Sequence, residues 1–322
     1  MNTKVVYVLV STPNDIYLEQ ALLSIFTLRQ HTADVKVTMV TDDVTERTLI
    51  GERAKIRQMI DDLIVIKREE ALSAKECAYS IKTTLRKWIS GDYLFIDTDT
   101  IIVDDLSEID RCEYDVAAVP DAHVHYKDHF AYKGYDSIFK KLGTNYGLNY
   151  YYNSGVMFVK ETKASYQLYE DWNKSYTEKS SLCIYDQPHL AVADSRRCTI
   201  RNLEDKWNCQ IQFGIKYVSG AKIIHYFASN FIDGKQEHPY ILMRKEAFMQ
   251  IKETGDIPDL LKQLVSKPEQ LWTEKTEIVG GLDVDLQHSQ QMKLMRDLFY
   301  NHNKLFTYIE NVLNFFAKLK HR

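Results

Sequence analysis

The 322-residue chain has only 6 prolines and 12 glycines, which excludes collagen-like and linker-like composition. Its five cysteines, Cys77, Cys112, Cys183, Cys198 and Cys209, are odd in number and widely spaced. No two form a C-x-x-C pair, which argues against a disulfide framework and against a zinc ribbon. Neither sign of charge dominates: 41 Lys and Arg stand against 45 Asp and Glu, a net −4. Nothing global therefore advertises nucleic-acid binding. Nowhere do ~18 consecutive apolar residues occur, as a membrane span would need. The apolar run Val5–Val10 is too short for a span, and no small-residue cleavage site follows it. These absences set the expectation of a cytoplasmic, reducing location. What is present is the mix of a globular protein, with 45% hydrophobic and 27% charged residues. The 21 tyrosines and 13 phenylalanines argue against disorder.

The first hundred residues alternate between two hydrophobic periods. Val5–Val10, Val35–Val40, Leu63–Ile66 and Tyr93–Ile96 are short apolar runs that read as buried strands. Between them, helical spacing predicts helices from Leu18 to His31, over Thr45–Met59 and over Glu69–Ile89. Strand and helix alternating in this way predict a mainly parallel α/β sheet. Ligands of such sheets bind beyond the carboxyl ends of the strands. Further on, Asp115–Pro120, Val156–Val159 and Ala221–His225 read as strands and Lys163–Thr177 as a helix. The aromatic and charged segment Asp121–Tyr151 is expected to fold over one face of a site.

Several side chains gather at these strand ends. Asp97-Thr98-Asp99 follows the apolar strand Tyr93–Ile96. Two carboxylates so placed can reach one hard divalent cation, or form a solvated acidic turn. His225 ends its strand as a third ligand or as a half-buried histidine. Asn14, Asp15 and Tyr17 follow the first strand, where they suit a nucleobase or a helix start equally. Lys82 and Arg86 lie one turn apart and could hold phosphate oxygens or water. Asn153-Ser154-Gly155 opens a strand, and Asp186-Gln187 precedes a helix.

Taken in order, these blocks resemble glycosyltransferase family 8, the family of glycogenin and of bacterial lipopolysaccharide galactosyl- and glucosyltransferases. The resemblance spans roughly residues 5–230. It rests on Thr12-Pro13-Asn14-Asp15-Ile16-Tyr17, Lys82, Leu94-Phe95-Ile96-Asp97-Thr98-Asp99-Thr100 and Tyr152-Asn153-Ser154-Gly155-Val156. Asp186-Gln187, Trp207-Asn208 and Ile223-Ile224-His225-Tyr226 complete it. It implies a GT-A fold (a Rossmann-like mixed sheet), a UDP-sugar donor and retention of anomeric configuration. It further implies Mn²⁺ or Mg²⁺ on Asp97, Asp99 and His225. Leu9, Thr12, Asn14 and Tyr17 are implied around the uracil, with Lys82 and Thr98 on the donor. Asn153, Asp186 and Gln187 would line the sugar site. The implied reaction passes a hexose to a glycan or glycolipid acceptor, as in lipopolysaccharide or capsule biosynthesis.

One block departs from the pattern. Many family members continue after the histidine with H-F-x-G-x-x-K-P-W, whose lysine binds the diphosphate. This chain reads His225-Tyr226-Phe227-Ala228-Ser229-Asn230-Phe231 instead, leaving Lys222 and Lys235 as substitutes. The departure keeps open a second class of function, a sugar-nucleotide-binding or interaction protein without strong catalysis. A haloacid-dehalogenase-type phosphatase fits less well. Its D-x-D motif follows the first strand and continues to Thr or Val, where this chain has Ile101.

The C-terminal part differs in composition. A catalytic domain is expected over 1–245 and a mostly helical extension over 246–322. From Ser289 to Arg322 there are six Lys and Arg and two Asp and Glu, against a net −8 before it. Apolar residues from Met292 to Leu319 follow the helical period. Such a helix packs on protein, or rests peripherally on the anionic inner face of a membrane where a glycolipid acceptor is found.

Overall fold

The computed structural model describes residues 1–227, 240–272, 286 and 289–320, and divides into two compact units, Met1–Thr273 and Glu274–Arg322. The first is built on a seven-stranded sheet. Its spatial order is β3 (Asp62–Ile66), β2 (Val37–Asp42), β1 (Lys4–Leu9), β4 (Tyr93–Ile96), β7 (Tyr152–Val159), β6 (Val116–Pro120) and β8 (Ile200–Asn202). The first four are mutually parallel, as the alternating periods predict. β7 runs antiparallel to both β4 and β6. This reversal was not legible from periodicity, and it matters for the site. It sets the beginning of β7 beside the end of β4, with Val156 opposite Ile96.

Along the strands, alternate side chains enter two different cores. Val5, Tyr7 and Leu9, with Leu94 and Ile96, pack with Leu18, Leu22 and Ile25 of helix α1 (Tyr17–His31). Val6, Tyr93 and Phe95 pack on the opposite face with Cys77, Ile81, Leu85 and Trp172. A smaller sheet joins β5 (Thr100–Ile102), β10 (Ile223–His225) and β9 (Cys209–Gln210) in that order. In it His225 pairs with Thr100, which brings it alongside Asp99.

Two predicted helices are interrupted. The stretch 45–59 forms a short helix α2 (Asp43–Arg47) and a 3-10 helix, Gly51–Gln58. Gly51, at φ +56°, takes the left-handed turn that separates them. The stretch 69–89 forms α3 (Ala74–Thr83) and α4 (Leu85–Trp88). Ser73 and Glu76 make a reciprocal capping box, so α3 starts five residues later than periodicity suggests. Thr83 and Thr84 hydroxyls donate back to the Ser80 and Ile81 carbonyls, where α3 gives way to α4.

The segment 121–151 carries helix α5 (Tyr132–Lys141) over an aromatic cluster of Tyr126, Phe139, Tyr146 and Tyr151. Helices α6 (Lys163–Lys179) and α7 (Asp186–Arg197) follow. The helices Glu246–Thr254 and Asp259–Val265, assigned to the extension by composition, bury Phe248, Ile251, Leu261 and Val265 in the main core. The boundary at 245 therefore moves to 273. The second unit holds the helices Gln290–Asn301 and Asn303–Lys320, joined by the edge-on pair Phe299 and Phe306. Among the described residues, no helix is long and apolar enough to cross a membrane.

Candidate functional site

The carboxyl ends of β1, β4 and β6 and the start of β7 meet around a cavity of about 700 Å³. Leu9, Tyr17, Lys82, Asp97, Thr98, Asp99, Asn153, Asp186, Gln187 and His225 all line it. Residues from 9 to 225 thus converge at the end of a sheet where such folds bind ligands.

Asp97, Asp99 and His225 each present a ligand atom, all within 4.8 Å of one another. Two oxygens and an imidazole suit Mn²⁺ or Mg²⁺. The backbone keeps their common space open: a Cβ on Gly155 would lie 2.3 Å from His225 Cε1 and 2.8 Å from Asp97 Oδ2. His225 Nε2 faces Asp99 Oδ1 at 3.2 Å, and its Nδ1 faces Asn208 Oδ1 at 3.2 Å. Burial pushes the Asp97 carboxyl above its ordinary value; Lys82 opposes the shift and Asp99 adds to it. For Asp99, burial acts in the same direction, but the adjacent His225 outweighs it and the carboxyl lies below its ordinary value. One carboxylate is thus held firmly charged and the other more easily protonated.

Lys82 is buried under this pair. Its Nζ donates to Asp97 Oδ1 and to Ser154 Oγ, both at 3.2 Å, and lies 3.5 Å from Asp186 Oδ2. Burial works against its charge, but Asp186 and Asp97 outweigh that and raise the ammonium above its ordinary value. Ser154 also donates its hydroxyl to Asp186 Oδ2 (3.1 Å) and its backbone N–H to Gln187 Oε1 (3.0 Å). The start of β7 therefore positions the start of α7.

Other expected residues lie elsewhere. Thr12 and Asn14 do not line the cavity. The Thr12 hydroxyl and N–H both donate to Asp15 Oδ2, at 2.9 and 2.7 Å, bracing the loop after β1, and Asn14 is exposed. Asp15 is internal wiring of that loop, accepting from Ser11 and Tyr17 as well. Arg86 points away from the cavity: it donates to the Ile89 and Gly91 carbonyls and lies over the Tyr93 ring. Lys222 is committed to Asp104, the Asp105 carbonyl and Glu108, so it is not the replacement diphosphate cation. Lys235 falls outside the described residues. Among the described residues, the lysines lining the cavity are Lys75 and Lys82, with Lys75 Nζ 4.8 Å from the Tyr185 ring centroid.

Sequence reasoning gave no role to three features of the site. Asp121, at the end of β6, is buried and accepts from Asn153 and His129. Asn208 buttresses His225. Phe227, at φ +52°, stacks on the His225 ring at 4.1 Å with 13° between planes. Phe130, Phe213 and Phe227 form an aromatic wall on one side of the cavity.

With this geometry, comparison with solved structures decides the architecture. The chain superposes on the galactosyltransferase LgtC solved with donor and acceptor sugar analogues, at TM-score 0.52 and 14% identity, covering 81% of this chain and 99% of that one. An active-site mutant of LgtC gives the same TM-score at 13% identity, with the same coverage. The fold is GT-A. Mouse xyloside xylosyltransferase 1 in its apo form gives TM-score 0.48 at 11% identity, covering 72% of this chain and 100% of that one. No protein-family model matches the sequence, and no curated protein matches it. In this GT-A chain the D-x-D lies at the end of β4, in the middle of the sheet, and not after a first strand as a haloacid dehalogenase would have it.

Proposed function

We propose that the chain is a metal-dependent, retaining glycosyltransferase that moves a hexose from a UDP-sugar to a glycan or glycolipid acceptor. The observation that carries this reading is the convergence of Asp97, Asp99 and His225 beside buried Lys82 in a GT-A cavity. The LgtC structure, solved with donor and acceptor sugar analogues, supports substrates of both kinds.

Asp97, Asp99 and His225 would hold Mn²⁺ or Mg²⁺, which when bound supplies positive charge against a departing diphosphate. Lys82 adds a second cation on the donor side, and Lys75 stands at the rim. Tyr17 and Leu9 border the nucleoside, with Thr98 nearby. Thr12 and Asn14 act through the shape of their loop. Asp186, Gln187 and Asn153 orient the sugar. The Asp186 carboxylate is engaged by Ser154 and Lys82, which supports an orienting group over a nucleophile. In the front-face route, the bond from anomeric carbon to diphosphate oxygen breaks as the acceptor hydroxyl attacks from the same face. The acceptor proton passes to the departing phosphate oxygen. The aromatic wall of Phe130, Phe213 and Phe227 suits the apolar face of an acceptor sugar.

The C-terminal helices expose Leu294, Phe299, Leu305, Leu313, Phe315 and Phe316. With a net +4 over 289–322, this surface fits an anionic membrane, where ~1 kcal/mol per basic residue is gained near the surface.

The test is UDP release by the purified protein from a panel of UDP-sugars with Mn²⁺. Release that stops in chelator and in Asp99→Ala is expected, with an α anomeric coupling in the product. Full activity in chelator, or a β product, overturns the reading.

A further inference from the structure

Five buried side chains run from the metal-site histidine into the segment that covers the cavity. His225 Nδ1 meets Asn208 Oδ1 at 3.2 Å. Asn208 Nδ2 donates to Asn153 Oδ1 at 2.9 Å, and Asn153 Nδ2 donates to Asp121 Oδ1 at 2.7 Å. Asp121 Oδ2 meets His129 Nε2 at 2.9 Å. Each of the five is 7% exposed or less.

Buried polar groups ordinarily find partners, so a chain of hydrogen bonds says little by itself. The direction of this one is forced. A backbone N–H can only donate. The Gly155 N–H points at Asn153 Oδ1 (2.9 Å), so that atom is an oxygen and the other Asn153 terminus is the amide that faces Asp121. Asn208 must then turn its NH₂ to Asn153 and its oxygen to His225. At the far end the Ala131 N–H points at His129 Nδ1 (3.0 Å), so that nitrogen is an acceptor and His129 carries its proton on Nε2, toward Asp121. Reversing any member would set donor against donor or acceptor against acceptor in a buried site, where unmatched groups are costly. The outcome at the near end is that His225 Nδ1 is a donor, toward Asn208, which leaves Nε2, facing Asp99 Oδ1 at 3.2 Å, as the nitrogen turned to the metal position. Phe227, stacked on the ring, holds its plane.

We propose that Asn208, Asn153, Asp121 and His129 form a positioning relay. It fixes the tautomer and orientation of His225, so that divalent-metal affinity depends on residues outside the cavity. This rests on the metal site proposed above. Partners behind a ligating histidine set its ring and basicity, and their loss costs about 10–100-fold in metal affinity. Asn208 and His129 do not line the cavity, so neither touches a bound substrate directly.

The experiment is calorimetric titration of the full chain with Mn²⁺ in the presence of UDP, with melting curves recorded for each variant. Asn208→Ala should bind Mn²⁺ about tenfold or more weakly, with cooperative melting retained. His129→Leu should weaken binding severalfold, and His129→Gln, which keeps a donor toward Asp121, should restore it. Failure of wild type to bind Mn²⁺ overturns the metal site and the relay with it. Wild-type binding that Asp99→Ala abolishes, but that folded Asn208→Ala and His129→Leu leave unchanged, overturns the relay alone. If those variants do not fold, long-range ¹⁵N–¹H NMR of the wild-type histidines decides: a proton on His129 Nε2 upholds the relay, and one on Nδ1 overturns it.

Discussion

Of the fifteen residues of helix α1, ten are buried; of the twelve in Gln290–Asn301, none is. Both carry apolar residues at helical spacing. In α1 these side chains meet β1 and the small sheet, and Ser24 adds hydroxyl contacts to Tyr7 and Thr100 at 3.0 and 2.8 Å. In the last helix Leu305, Leu313 and Phe316 remain 51%, 56% and 62% exposed. An amphipathic period therefore specifies a face that gains by being covered, while saying nothing of what covers it. The first unit covers this face from within; the second does not.

The contrast can be tested by substitutions on its two sides. The largest effect belongs to Gly155→Ala, whose Cβ enters the space between His225 and Asp97. Mn²⁺ binding should vanish in calorimetry, and UDP release should fall by about 10²-fold or more, the scale on which one electrostatic group acts. Wild-type activity in that variant would show that the metal position lies elsewhere. Next is Leu23→Ala, at a fully buried position of α1. It should cost about 2–5 kcal/mol in denaturant unfolding, whereas Leu313→Ala should stay within about 0.5 kcal/mol, as surface changes do. Equal costs would erase the distinction between the two units. Gln187→Ala should slow transfer about tenfold with UDP affinity unchanged, the pattern of an interaction made only in the transition state. A matching loss of UDP affinity in calorimetry would move Gln187 to the nucleotide. The smallest change to the enzyme comes from Phe315→Ser with Phe316→Ser. UDP release and melting should be unaltered while flotation on anionic vesicles at low salt is lost. Vesicle binding that survives both changes takes these two side chains out of the contact, and a wild type that never binds removes the membrane from the proposal.

Much of the first unit was legible because local order carries it. The parallel strands follow from apolar runs, and Asp97, Asp99 and His225 stand at strand ends, where spacing made them candidates and the ordered blocks of the resemblance grouped them. What was not legible depends on partners distant in sequence. β7 reverses the sheet, and no residue within it says so. Lys82 and Arg86 look alike on one helical face. Yet α3 ends at Thr83, and Lys82 turns into the cavity while Arg86 clamps the carbonyls before β4. Thr12 and Asp15 look like ligands because hydroxyl and carboxylate serve loops and substrates equally. Lys222 looked free until Asp104 and Glu108, 118 and 114 positions earlier, came beside it. Asp121 and His129 sit in a stretch whose aromatic content masked two polar residues with one shared role.

The closed circuit between His225 and His129 has a practical consequence for redesign. One arc of it is polar and internal. The other is aromatic and lines the cavity, running from His129 through Phe130, Phe213 and Phe227 back to His225. An engineer seeking a new acceptor would begin by varying the aromatic arc and would, without intending it, retune the cation. Libraries at Phe130 or Phe213 are therefore best screened at several manganese concentrations, so that altered acceptor preference is not mistaken for a weakened grip on the ion.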